Sequence, residues 1–174
     1  MHCLPYPKVS LMRLIRFAFA AALAGAAAAS PATAASTTAA TSVNVIKPVS
    51  LAKLQDMDFG TLTFAGFTGT RTIVLSPAGT LACAADIVCS GVPRQARFNV
   101  QGTNKNTVLF TYSGGTLSNG IDSIPFTANG PASMAITNSG APGTDFDVGG
   151  SLSISSTLVG GTYSGTMTVT AEYQ

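Results

Sequence analysis

No window of about a dozen residues in this chain repeats its apolar side chains at the i, i+3, i+4 spacing of a helix. Short apolar or alternating runs recur instead, at 43–54 (interrupted at Pro48), 58–64, 71–75, 79–83, 97–101, 107–112, 133–137, 150–156 and 162–173. Gly114-Gly115, Asn119-Gly120, Asn129-Gly130-Pro131, Pro142-Gly143 and Gly160-Gly161 fall between them. Gly and Asn tolerate positive φ, so these read as turns. Many short strands at this spacing predict an all-β sandwich or barrel. The abundance of Thr, Ser, Gly and Val argues against helices.

The first segment stands outside this pattern. Lys8, Arg13 and Arg16 precede an apolar run over 17–24 that continues through Gly25 to Ala29, and Ala32-Thr33-Ala34 supplies an A-x-A exit. A positive start, a short apolar stretch and a small-residue exit predict a cleaved secretory signal over 1–34. The run is too short to cross a bilayer core of about 30 Å, so no transmembrane anchor is expected after cleavage. Met12 is an equally good start, which leaves His2 and Cys3 without weight. Residues 35–42 are small and polar and read as a flexible leader, with the domain over 43–174. The expected location is the periplasm, the cell surface or the medium.

Losing residues 1–34 changes the charge. Three of the nine Lys and Arg go with them and none of the seven acids, leaving six bases against seven acids, a net charge of −1. No Lys/Arg stripe of the kind phosphate binding needs remains, so nucleic acid is not an expected partner. The only His is His2, and there is no Trp. Cys83 and Cys89 remain, and in an oxidising compartment such a pair reads as a disulfide ahead of a metal or redox pair. Its short loop contributes about 2–2.5 kcal/mol by loop-entropy arithmetic.

Catalysis finds no footing. Without His there is no imidazole base for a Ser or Cys nucleophile. Gly161-Thr162-Tyr163-Ser164-Gly165 lacks the strand–turn–helix setting of a nucleophile elbow. Asp56 and Asp58 read as solvated acids flanking a turn, and Asp145 and Asp147 as a polar turn entering the strand at Ser151–Ser155, ahead of a calcium site. Phe59, Phe64, Phe98, Phe110, Tyr112, Phe126 and Phe146 fit core packing better than a sugar platform. No enzyme activity, metal or cofactor is expected.

The final run is the most informative. Tyr163, Gly165, Met167, Val169, Ala171 and Tyr173 share one face, with Thr162, Ser164, Thr166, Thr168, Thr170 and Glu172 on the other. A long strand at a sheet edge carries free backbone groups that invite another strand. Gly165 in its interior marks either room for a neighbour's bulky side chain or a bulge.

This segment resembles the closing strand of chaperone–usher pilin subunits, with Tyr173 penultimate and Gly161 at the pilin glycine position. The mature chain more closely resembles the exported proteobacterial proteins catalogued as domain of unknown function 4402. That likeness rests on Leu54 and Asp58-Phe59-Gly60, Phe98-Asn99-Val100-Gln101-Gly102, Phe146-Asp147-Val148-Gly149-Gly150-Ser151-Leu152 and Gly161-Thr162-Tyr163-Ser164-Gly165. It implies an immunoglobulin-like, pilin-related antiparallel β-sandwich with no enzyme activity. In pilins a missing strand is supplied by a chaperone and then by the next subunit's N-terminal extension. Val43, Val45, Val49 and Leu51 alternate here with Lys47 and Pro48 interrupting, so this stretch serves either as a donated strand or as a partner for its own last strand.

The expected function is that of an exported, non-catalytic structural subunit, pilus- or adhesin-like. It would pair with like subunits or a periplasmic chaperone through Gly161, Tyr163, Gly165, Met167, Val169, Ala171 and Tyr173. The alternative is a self-contained secreted monomer that binds a surface ligand such as a glycan.

Overall fold

The computed structural model describes residues 34–64 and 66–174. The expected signal segment lies outside them apart from Ala34, as do Met12, His2 and Cys3. Residues 34–42 carry no secondary structure and are exposed. From residue 43 onward the chain forms a separate compact unit.

Its strands are β1 (Ser50–Gln55), β2 (Thr61–Phe64), β3 (Thr70–Leu75), β4 (Leu81–Ala82), β5 (Ile87–Ser90), β6 (Ala96–Gln101), β7 (Thr107–Ser113), β8 (Gly115–Ser118), β9 (Ser123–Asn129), β10 (Ser133–Ala135), β11 (Thr144–Ser155) and β12 (Thr168–Tyr173). All of their ladders are antiparallel, and the fold is an all-β sandwich. One sheet runs β1-β6-β11-β3-β4, with β9 on β11 and β8 on β9; a second runs β10-β7-β12; β2 and β5 form a ribbon.

The long strand β11 organises the whole. Its first half pairs with β6, from Thr144↔Val100 to Val148↔Ala96, and its second half with β3, from Gly150↔Leu75 to Ser155↔Thr70. The change of partner falls at Gly149-Gly150. A Cβ on Gly149 would collide with the Leu75 carbonyl, and one on Gly150 with the Phe126 ring, so the crossing requires glycine.

This division gives two cores. The first gathers Ala96, Phe98 and Val100 of β6, Val108 and Phe110 of β7, Ile136, and Phe146 and Val148 of β11. Phe146 lies between Phe98 and Phe110, at centroid distances of 5.6 and 4.3 Å. The second gathers Phe67, Ile73, Ile87, Ile124, Phe126, Leu152 and Ile154. Alternation along β6, β7 and β11, joined by β3 and β9, places most of these side chains inward.

Several expectations are corrected. The N-terminal run becomes regular only at Ser50, and it pairs with β6, not with the last strand. Gly114-Gly115 is no turn, because it joins β7 to β8 as a kink in one extended stretch. Asp145 and Asp147 lie within β11, which begins at Thr144. Strands β5, β8 and β9 went unforeseen. Pro125 hides β9, yet the ladder to β11 begins only at Phe126, so proline's missing N–H breaks no bond there.

Candidate functional site

The C-terminal run lies along the β7–β8 stretch, and β12 ends its sheet. The Gln174 amide donates to the Thr107 carbonyl at 3.0 Å, in the same register as Thr168↔Ser113 and Thr170↔Thr111. Hydrogen-bonded pairs alternate in an antiparallel ladder, so Thr168, Thr170 and Glu172 bond to β7. Val169, Ala171 and Tyr173 turn their N–H and C=O groups outward, and among the described residues no strand pairs with them. Further up, Ser164 exchanges both backbone bonds with Ser118, at 2.8 and 3.0 Å, which turns those of Tyr163 and Gly165 outward as well.

Between these ladders the register slips. Residues 114–117 on one side face 165–167 on the other, so the β7–β8 stretch carries the extra residue of a bulge. Gly165 lies opposite this bulge: a Cβ there would collide with the Thr116 carbonyl and meet Leu117 at 2.9 Å. Close backbone approach, not room for a neighbour's side chain, explains the glycine.

Beside this segment lies a groove of about 810 Å³. One wall is Leu158–Met167, the other runs from the end of β1 through β2, with Met57, Phe59, Leu62 and Phe64 turned toward it, and Ile124, Phe126, Leu152 and Ile154 lie at its base. Lys53, Asp56, Asp58, Thr162 and Ser164 are exposed at its rim, so it opens to solvent. Met57 and Met167 pack against both cores, and the groove is therefore the point where the sandwich stays open.

The expected interface residues divide accordingly. Gly161, Tyr163, Gly165 and Met167 line the groove. Val169, Ala171 and Tyr173 pack on the first core, further along the edge. Sequence reading missed the facing wall, although apolar residues at 57, 59, 62 and 64 were visible in it. It also missed what the Tyr173 hydroxyl does: it donates to the Lys47 carbonyl at 2.7 Å and accepts from the Thr103 amide at 2.6 Å.

The remaining candidates are structural. Cys83 and Cys89 are joined as a disulfide with Cα atoms 6.4 Å apart, tying the chain after β4 to β5 and so bracing the ribbon that carries β2. Asp56 pairs with Lys53 at 2.6 Å, and Asp58 accepts from the Gly60 amide at 2.8 Å. Asp147 accepts from Arg97 at 2.8 Å, and that hydrogen bond holds its carboxyl below the usual carboxylate range and the guanidinium above its own. Asp145 accepts from Asn99 at 2.6 Å. Burial raises the Tyr163 phenol, with a smaller contribution from the charge of Asp122. Phe98, Phe110, Phe126 and Phe146 are buried, while Phe59 and Phe64 face the groove.

The family model described as "Domain of unknown function (DUF4402)" matches residues 49–173. No curated protein and no solved structure matches the chain. The chain belongs to the DUF4402 family.

Proposed function

We propose that this member of the DUF4402 family is an exported, non-catalytic structural subunit that assembles by accepting an added strand along its C-terminal edge. The observation that carries this reading is the coincidence of two features. Outward backbone groups stand at Tyr163 and Gly165 and again at Val169, Ala171 and Tyr173, and an open apolar groove lies beside the first part of that edge. Backbone groups give an added strand its affinity, and the groove receives its alternate side chains.

The chain also carries a candidate donor. Val43 and Val45 are 85% and 74% exposed, and among the described residues no strand pairs with them. An apolar segment and an apolar groove on the same molecule make a heterologous contact, which propagates from copy to copy. A periplasmic chaperone strand is a second occupant of the same edge.

The test is the mass in solution of the mature chain, from about residue 35, beside a variant lacking residues 37–46. The described strands all begin after that deletion. The parent should form large assemblies or a one-to-one chaperone complex, and the deletion should remain monomeric at unchanged Tm. Asp at Met167 or Val169 is a poor probe, since both side chains pack on the cores and the change would unfold the domain. Val169→Pro removes an outward N–H along with the side chain's packing on the first core, so it should block the edge, and its Tm is read beside the assembly to separate that from unfolding. A parent that stays a sharp monomer would replace this reading with that of a self-contained secreted binding domain.

A further inference from the structure

The root of the leader is held in an unusual way. Both backbone groups of Lys47 are engaged by side chains from distant parts of the chain: its N–H donates to Thr103 Oγ1 at 2.7 Å, and its carbonyl accepts from Tyr173 Oη at 2.7 Å. The same Tyr173 oxygen accepts from the Thr103 N–H at 2.6 Å, which closes a ring of three bonds. The next residue is Pro48, which has no N–H and a fixed φ. Gly102 completes the arrangement, because a Cβ there would stand 2.6 Å from the Tyr173 hydroxyl.

Burial does not demand this ring. Lys47 is exposed, and water could satisfy its backbone groups. The ring instead fixes a position. Immediately before it the chain presents Val43, Val45 and Ile46 to solvent; immediately after it Val49 and Leu51 pack on the first core. Lys47 is thus the boundary between chain held by the domain and chain offered outward.

We propose that Tyr173 and Thr103 form a latch on the main chain of Lys47 that sets where the leader leaves the domain and keeps residues 43–46 presented to a partner. This positioning role rests on the strand-addition reading. The latch also links the two ends of the subunit's interface, since Tyr173 lies on the accepting strand and Lys47 at the root of the offered one.

The variants that test it are conservative. Tyr173→Phe keeps the ring in the core and removes the hydroxyl, Thr103→Val keeps the shape and removes Oγ1, and Thr103→Ser keeps the acceptor. In the isolated mature chain, hydrogen exchange at the Lys47 and Thr103 amides and thermolysin cleavage between residues 43 and 49 report the latch directly. Tyr173→Phe should speed exchange at Thr103, and Thr103→Val at Lys47, each about tenfold. Cleavage should rise in both, with amides of β6 and β11 unchanged and Thr103→Ser behaving as the parent. Assembly of the first two should slow in proportion at a Tm within a few degrees of the parent. Unchanged exchange and cleavage in both would overturn the latch. Faster exchange with assembly at the parent rate would overturn its positioning role. A parent that never assembles, with exchange responding as described, removes the strand-addition reading and leaves the latch as a holder of the leader alone.

Discussion

The two ends of the sandwich are built from the same kinds of residue and finished differently. At the first core, Val100, Val108 and Val148 are fully buried, Phe146 is packed between two other rings, and the last strand is tied to Lys47, just before β1, through Tyr173. At the second, Ile73, Leu152 and Ile154 are equally buried, but the side toward Met57 and Met167 opens into the groove. Sheet-on-sheet packing completes the first core. Among the described residues no strand lies between Leu158–Met167 and β2, and the apolar wall there is open to solvent. A core left open beside an unpaired strand edge is a costly arrangement for a monomer and an ordinary one for a subunit.

Truncation should separate the two ends most strongly. Phe146→Ala in the closed core should cost about 3–5 kcal/mol in chemical unfolding. Phe59→Ala on the groove wall should cost less than half as much, because part of its ring already faces solvent. Equal costs would mean that the groove is closed in solution. Next comes the brace on the groove wall. Replacing Cys83 and Cys89 together with Ala should remove about 2 kcal/mol, and exchange should rise first at β2 and β5, leaving β6 and β7 protected.

Smaller effects follow from titration. Burial pushes the Tyr112 phenol up to about 12, with its hydroxyl donating to the Pro131 carbonyl at 2.7 Å. The folded state therefore favours the neutral phenol. That stability is complete below the unfolded value near 10 and is lost as pH rises toward 12. Tyr112→Phe should lose about 1 kcal/mol at neutral pH and show a shallower alkaline decline. The smallest effect belongs to Asp147, whose carboxyl Arg97 holds low. Its contribution is present above the usual carboxylate range and fades as pH falls through it, so Asp147→Asn should flatten the acid limb of the stability curve. An unchanged limb would assign acid sensitivity to other carboxylates.

Much of the closed end was legible in the sequence. The runs at 97–101 and 107–112 located β6 and β7; of the run at 162–173 only Thr168–Tyr173 is strand, because the register slips before it. The paired cysteines announced the disulfide. The open end was harder to read. Strand β8 follows a glycine kink that looks like a turn, and β9 contains Pro125. Gly149-Gly150 reads as loop chemistry although it sits mid-strand, where two neighbours approach too closely for a Cβ. The edge strand was visible because its own side chains alternate. The groove was not, because its opposite wall comes from residues a hundred positions away in the chain. The Lys47 latch was equally hidden, since the Tyr173 and Thr103 side chains act there on main-chain atoms that carry no sequence signal.

The most direct test of the central claim is hydrogen exchange along the C-terminal strand, residue by residue, before and after assembly. In the isolated subunit the amides of Val169 and Ala171 should exchange fast while those of Thr168, Thr170 and Glu172 are protected, and assembly should protect Tyr163, Gly165, Val169 and Ala171. Outward amides already protected in the monomer, or still exchanging fast in the assembled form, would contradict it.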